Sequence, residues 1–152
     1  MKKIVFKLMF TSVIMAILSV SIHAEAISNK NYGSVSVSEV TSIYDGDTFR
    51  VNIAEYPELL GYRIGIRVNG IDTPEMRGKC AQEKALARKA KQFTVAKLRA
   101  AKSIELRNMK RGKYFRIVAD VYVDEQNLGD MLIQEKLAVA YDGGHKGKDW
   151  CR

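Results

Sequence analysis

The chain has 152 residues, and its 25 Lys or Arg against 17 Asp or Glu give a formal net charge of +8. This length suits a single domain with a modest core, and the positive charge favours an anionic partner. The sequence has no phosphate-binding P-loop and no GxSxG elbow, and its two histidines leave little material for histidine-based or zinc-based catalysis.

Residues 1–26 have the organisation of a secretory signal peptide. Two lysines precede a mostly apolar run at 4–20, and small residues suitable for cleavage end at Ala24 and Ala26. A retained membrane anchor is the disfavoured alternative, because a bilayer span needs about 20 apolar residues. We therefore predict an exported protein, periplasmic or secreted, with a flexible leader at 27–33 and no anchor after cleavage. Removal of the signal up to Ala24 lowers the formal charge to +5.

Residues 34–152 are predicted to form one domain that begins with three strands. Apolar–polar alternation at 34–40 (SVSVSEV) predicts a half-buried strand. An Asp-Gly turn signal precedes the second strand, within 44–53 (YDGDTFRVNI), whose alternating apolar residues share one face. Pro57 marks a connection, and 62–72 (YRIGIRVNGID) predicts the third strand.

One long helix is predicted from about residue 79 to 102, because apolar residues recur every three or four positions opposite a basic face. Two strands at 103–109 and 114–123, a short helix around 128–136 and an extended piece at 138–141 follow. Because β-α-β alternation is missing, this order favours a closed barrel over a parallel sheet. We predict an α+β, mainly β, fold with an OB-type five-stranded barrel. The predicted apolar stripe of the long helix comprises Leu86, Ala90, Phe93, Ala96 and Ala100.

An irregularity in the third strand predicts that an arginine and an aspartate meet. Apolar residues alternate from Ile64 to Val68, but the next one, Ile71, arrives one position late. A bulge at Asn69–Gly70 accounts for the slip, because glycine tolerates the backbone conformation that a bulge requires. Such a bulge keeps Ile71 on the apolar face and turns Asp72 onto the face of Arg67, near the barrel rim.

A second inward carboxylate is expected on the second strand. Asp47 is in register with the apolar residues from Phe49 onward, and a desolvated carboxylate there needs a counter-charge. Two aspartates at strand ends with a backbone carbonyl suit a hard cation of the calcium type. Glu75 is then placed to orient or deprotonate an attacking water, and Arg67 to bind a phosphate. Taken singly, the DGDT and DTPE motifs are more typical of ordinary turns.

Together and in this order, YDGDT, RVNGIDTPE and KYFRIVADVYV resemble the staphylococcal-nuclease-like thermonucleases, over residues 35–150. The resemblance implies a calcium-dependent, sugar-nonspecific endonuclease that cleaves DNA and RNA by in-line water attack and leaves 3′-phosphate ends. The positions that match the family's functional residues are Asp47, Asp72 and the Thr73 carbonyl as calcium ligands, Arg67 and Arg116 as catalytic arginines, Glu75 as general base, and Lys113 with Tyr114 as contacts to a terminal phosphate. The chain departs from the family at Phe115, where a glycine is usual, and its segment between Glu75 and the helix is shorter.

The two cysteines, Cys80 and Cys151, most simply form one disulfide if the chain is exported. This bond would tether the C-terminal tail to the segment just after IDTPE. The tail and the RGKC segment also resemble exported bacterial members of the family. Free thiols and an intermolecular bridge are the alternatives that the sequence leaves open.

The stretch from Met76 to Arg116 is strongly basic, with fourteen Lys or Arg and two Glu among 41 residues. Such a surface attracts phosphate backbones without reading sequence, which fits DNA and RNA as substrates. The alternatives are a noncatalytic OB-fold module that binds nucleic acid and a structural envelope protein whose acidic residues bind calcium. Every catalytic position of the family is filled, which favours the nuclease. No feature implies a stable protein partner.

Overall fold

The computed structural model describes residues 30–152. The predicted signal peptide and the start of the predicted leader lie outside the described residues. Residues 30–33 form no helix or strand, but Tyr32 N–H donates to the carbonyl of Met109 (2.8 Å) and Met109 N–H to that of Gly33 (3.1 Å). None of the helices in this described part is long and apolar enough to cross a membrane.

The described elements follow one another in a mainly β order, with one long helix at the centre of the chain. They are β1 Val35–Ser36, β2 Glu39–Ile43, β3 Thr48–Asn52, α1 Glu58–Gly61, β4 Ile64–Val68, β5 Ile71–Asp72, α2 Ala81–Ala100, β6 Ile104–Arg111, β7 Arg116–Val123, β8 Gln126–Asn127, α3 Leu128–Gln134 and β9 Val139–Ala140.

The main sheet closes on itself. Its strands lie in the order β1-β6-β7-β4-β3-β2, with β8 added to β7, and the β4–β7 pair is parallel. At the junction of β1 and β2, Val37 N–H donates to Ile104 of β6 (2.9 Å) and Ser38 N–H to Asn52 of β3 (3.0 Å). The stretch Val35–Ile43 is therefore one bent strand that joins the two ends of this order. The predicted OB-type five-stranded barrel is confirmed.

The prediction of a single third strand is wrong. β4 ends at Val68, Asn69–Gly70 form a turn, and β5 leaves the barrel to pair with β9 in a separate ribbon. Gly70 has φ +76°, a conformation that costs glycine little. The predicted orientation of the two side chains is nonetheless confirmed, because Ile71 is buried and Asp72 lies 3.2 Å from Arg67.

Some predicted boundaries also move. The connection around Pro57 contains the short helix α1. β6 runs on to Arg111, into the predicted turn, and β7 begins only at Arg116. Tyr114 and Phe115 have φ values of 57° and 56°, which belong to the left-handed region and cannot continue a strand. Phe115 thus adopts the backbone conformation for which the family's usual glycine is suited.

Helix α2 is confirmed, but its predicted buried stripe is wrong, because Ala96 and Ala100 are exposed. The buried face is rotated to include two polar residues that make internal hydrogen bonds. Thr94 Oγ1 donates to the carbonyl of Gly46 (2.7 Å), and Glu83 accepts from Lys79 N–H (2.7 Å). Helix α2 therefore holds both the DGDT loop and the segment before the helix. The buried residues of α2 are Glu83, Ala87, Ala90, Thr94 and Leu98.

The contact between α2 and the DGDT loop needs a residue without a side chain. A Cβ at Gly46 would lie 2.8 Å from Ala90 Cβ and 2.9 Å from Thr73 Cγ2. Both distances are shorter than real carbon contacts, so any larger residue would push the loop away from the helix. Because Asp47 follows directly, this packing fixes the position of its carboxylate.

Substitution of Gly46 by alanine tests the packing. We expect Gly46→Ala to lower the free energy of unfolding by about 1–3 kcal/mol, because overpacked sites force backbone shifts. Urea unfolding followed by the fluorescence of Trp150, which is buried, measures the change. Gly147→Ala is the matched control, since no atom lies within 4 Å of the place its Cβ would take. Equal stability of the two variants would contradict the packing.

Candidate functional site

Asp47 lies at the mouth of the barrel with only 1% of its surface exposed. Its Oδ2 accepts hydrogen bonds from the N–H (3.1 Å) and the hydroxyl (3.0 Å) of Thr73. Its Oδ1 accepts from the Thr48 hydroxyl (2.9 Å) and from the guanidinium of Arg67. The inward orientation predicted from the register of the second strand is therefore correct, and Thr73 of DTPE meets Asp47 of DGDT directly.

Arg67 joins Asp47 to Asp72. While Nη1 contacts Asp47, Nη2 lies 3.2 Å from Asp72 Oδ1 and 3.4 Å from the carbonyl of Ile71. The two aspartate side chains are 1% and 5% exposed, whereas that of Arg67 is 20% exposed. One guanidinium thus compensates two buried carboxylates and keeps an edge toward solvent.

Asp45 is a third buried carboxylate, to which the sequence analysis assigned no role. Its Oδ1 accepts a hydrogen bond from Asp47 N–H at 3.1 Å. Burial, reinforced by the negative charge of Asp47, raises the pKa of Asp45 to about 7. The sequence signal that could have identified Asp45 is the DGDT motif itself, because its two aspartates are separated by one residue in a tight turn.

Lys146 is the second residue without a predicted role, and it comes from the C-terminal tail. Its Nζ lies 2.8 Å from Asp72 Oδ1 and 2.5 Å from Glu75 Oε1. Burial opposes its charge, but the hydrogen bonds to Asp72 and Glu75 outweigh burial and raise the pKa of Lys146. Lys146 therefore connects the predicted general base to the buried cluster.

The disulfide between Cys80 and Cys151 is present, with 6.0 Å between the Cα atoms, which confirms the predicted pairing. Cys80 is also the N-cap of α2, where its sulfur accepts from Glu83 N–H (3.3 Å). The Glu83 carboxylate turns back to the N–H groups of Lys79 (2.7 Å) and Glu75 (3.4 Å), as in a capping box. The predicted disulfide was the sequence signal that could have identified Lys146, because this bond brings the tail beside IDTPE.

Arg116, Lys113 and Tyr114 form a second group, at the β6–β7 turn. Arg116 lies opposite Gly65 in the parallel β4–β7 pair, and a Cβ on Gly65 would lie 2.9 Å from Arg116 Cγ. The Arg116 side chain therefore crosses the face of β4 that also carries Arg67. Its Nε donates to the carbonyl of Lys113 (3.3 Å), and its guanidinium lies 5.6 Å from the ring centre of Tyr114. The structure groups Arg116 with these two residues rather than with the aspartates.

A cavity of about 630 Å³ opens beside Arg116 on the outside of the barrel. Four aromatic rings in its wall are 55% to 87% exposed, which is unusual for side chains of this size. Exposed rings beside guanidinium groups are the combination that stacks bases and contacts phosphates. The four exposed aromatic residues are Tyr44, Tyr62, Tyr114 and Phe115, and the arginines are Arg50, Arg63 and Arg116.

The carboxylate cluster fits a divalent cation by charge and by ligand type. Three of its four carboxylates contact two cationic side chains, which leaves an excess of one negative charge. Asp45, whose pKa is raised to about 7, adds a further negative charge when it is ionised. Carboxylate and carbonyl oxygens are the ligands that calcium prefers. Asp47, Asp72 and the carbonyl of Thr73 would hold the cation, with Asp45 next to them. The four carboxylates are Asp45, Asp47, Asp72 and Glu75, and the cations are Arg67 and Lys146.

Comparison with known proteins identifies similar sequences. The sequence model of a family described as staphylococcal nuclease homologue matches residues 65–149. The chain is 30% identical over 140 residues to a protein of Schizosaccharomyces pombe named probable endonuclease, which covers 77% of this chain and 60% of that protein. It is 31% identical over 131 residues to probable endonuclease lcl3 of Schizosaccharomyces japonicus, with 70% and 55% covered. The chain thus spans somewhat more than half the length of these curated relatives.

Removal of the shared guanidinium tests the charge balance of the cluster. With a chelator present, we expect Arg67→Met to lower the free energy of unfolding by about 3 kcal/mol, because two buried carboxylates lose their counter-charge. Added calcium should restore part of the loss if the cation replaces that charge. Chemical unfolding with and without calcium measures both effects.

Arg107→Met is the matched control. Arg107 also bridges two carboxylates, Glu105 and Glu125, but their side chains are 35% and 77% exposed. Exposed ion pairs contribute little to stability, so the control should change little and should not respond to calcium. A loss in Arg67→Met no larger than in this control would contradict the proposed charge balance.

Proposed function

Because the chain belongs to the family of staphylococcal nuclease homologues, we propose that it is a calcium-dependent nuclease that hydrolyses phosphodiester bonds of both DNA and RNA. The observation that carries the proposal is the Asp47–Arg67–Asp72 cluster at the barrel mouth. It combines buried oxygen ligands with a guanidinium that retains solvent access, beside a cavity lined by rings and arginines.

The cavity beside Arg116 supports a nucleic-acid substrate. Its exposed rings offer stacking surfaces for bases, a contact worth about 1–3 kcal/mol per base that every base can make. Lys113 and Tyr114, at the β6–β7 turn, are proposed to contact a terminal phosphate. Neither stacking nor phosphate contact distinguishes ribose from deoxyribose, which supports the proposed lack of sugar specificity.

The proposed reaction is an in-line displacement at phosphorus. Water forms the new P–O bond and the bond to O5′ breaks, and O5′ takes up a proton from solvent, which leaves a 3′-phosphate and a 5′-hydroxyl. Glu75, whose side chain is 52% exposed, accepts a proton from the attacking water. Arg67 and Arg116 donate hydrogen bonds to the nonbridging oxygens as negative charge develops on them. Calcium, when bound, would supply additional positive charge at the phosphoryl group.

The proposal includes export to the periplasm or the medium. The signal-like organisation of residues 1–26 is one support. The Cys80–Cys151 bond is another, because disulfides persist in oxidising compartments and are rare in reducing ones.

Incubation of the purified protein with plasmid DNA and with RNA, in calcium or in a chelator, tests the function. We expect degradation of both substrates in calcium only, and fragments with 5′-hydroxyl ends that a polynucleotide kinase labels without prior dephosphorylation. A gel shift without cleavage would replace the nuclease by a noncatalytic binding module. Neither shift nor cleavage would reject both.

Single substitutions test the assigned roles. We expect Glu75→Gln to lower the cleavage rate at least about a hundredfold, because a general base contributes that much. We expect Arg67→Ala to lower the rate by a similar factor, because a donor to the developing negative charge is lost. The controls are Glu135→Gln, an exposed carboxylate after α3, and Arg107→Ala. Activity that persists in Glu75→Gln would remove Glu75 from the mechanism, and circular dichroism of each variant separates lost chemistry from lost fold.

A further inference from the structure

The C-terminal tail, residues 141–152, is held at both ends although it forms no helix or strand. At its start, Tyr141 N–H donates to the carbonyl of Gly70 (2.9 Å), next to the β5–β9 ribbon. Near its end, Cys151 is bonded to Cys80. The tail therefore crosses the barrel mouth as a strap whose two attachments flank IDTPE in the sequence.

Lys146 lies between the two attachments and contacts the carboxylates of Asp72 and Glu75, at 2.8 Å and 2.5 Å. With Lys146 in contact, only 5% of the Asp72 side chain is exposed, so little of this carboxylate is left open to solvent beside Nζ. These contacts are specific to Lys146. Lys148 of the same tail lies over the ring of Trp150 instead, 5.6 Å from its centre.

An ammonium group and a divalent cation compete for the same carboxylate oxygens. Asp72 is one of the proposed ligands of the cation, and Glu75 lies beside it. Two cations within about 4 Å of each other repel by an amount that is large in a partly buried site. Occupation of Asp72 by a divalent cation is therefore favoured only if Lys146 withdraws or shifts.

We propose that Lys146 is an intramolecular competitor of the divalent cation, held at the carboxylates by the disulfide-anchored tail. The inference rests on the proposed function only in that Asp72 is a ligand of the cation. The tether matters because it keeps the ammonium at a high effective concentration beside Asp72. Without the bond to Cys80, the glycine-rich tail would be attached only at Tyr141 and by the ion pairs of Lys146.

Calorimetric titration of calcium chloride into the protein, without nucleic acid, tests the proposal. We expect Lys146→Met and Lys146→Gln to bind calcium about tenfold more tightly than the unsubstituted protein. In these variants no ammonium group occupies the carboxylates, so it no longer weakens the apparent affinity for calcium. Lys148→Met, which removes the same charge from the same tail, should retain the original affinity. An affinity in Lys146→Met that is unchanged or weaker, or a gain of equal size in Lys148→Met, would overturn the proposal.

The disulfide is tested in a second arm, with Cys80→Ser combined with Cys151→Ser and its fold checked by circular dichroism. We expect calcium affinity to rise toward that of Lys146→Met, and a further Lys146→Met change to add little. If Lys146→Met raised the calcium affinity of the double cysteine variant as much as it raises that of the unsubstituted protein, the disulfide would not be what holds the ammonium of Lys146 beside Asp72.

The binding measurement separates this inference from the nuclease proposal. A protein that cuts no nucleic acid but binds calcium more tightly as Lys146→Met would retain the inference and lose the nuclease. Calcium binding in neither form would overturn the inference, whatever the cleavage assay shows.

Discussion

Two buried carboxylates that share one guanidinium are the constraint around which the barrel mouth is organised. Asp47 comes from the loop before β3 and Asp72 from β5, and each reaches Arg67 of β4. Backbone pairing sets this meeting, because Thr48 lies opposite Arg67 in the β3–β4 register and Val68 N–H donates to the carbonyl of Asp47 (2.9 Å). A shift of one residue in that register would turn Arg67 into the core and leave the aspartates uncompensated.

The remaining elements either support the cluster of Asp47, Arg67 and Asp72 or place further side chains beside it. Helix α2 supports it from behind, since its residues contact Gly46 and its N-terminus orders the loop after Pro74. The parallel β4–β7 pair brings Arg116 across β4, although 49 positions separate it from Arg67 in the sequence. The disulfide brings the tail to the same place. The candidate site is thus assembled from five separate segments of the chain.

The sequence predicted those parts of the fold and site that follow from local periodicity. The slip before Ile71 placed Asp72 correctly because side-chain alternation in a strand has a strict period of two. The prediction of the buried face of α2 was wrong because that face contains Glu83 and Thr94, whose burial depends on hydrogen-bond partners outside the helix. Lys146 stayed unassigned for a related reason. A single lysine in a glycine-rich tail has no periodic context, and only the disulfide geometry determines where it lies.

The bent strand Val35–Ile43 has a consequence for how the protein behaves among other copies of itself. Val35–Ser36 pairs with β6 and Glu39–Ile43 with β3, so the two ends of the strand order in the described residues are strands of two and five residues joined by a bend. Open edges are templates on which other chains add strands, and short edge strands offer little of that template. Resistance to edge-to-edge aggregation therefore depends on the first strand of the domain, which carries none of the predicted catalytic residues.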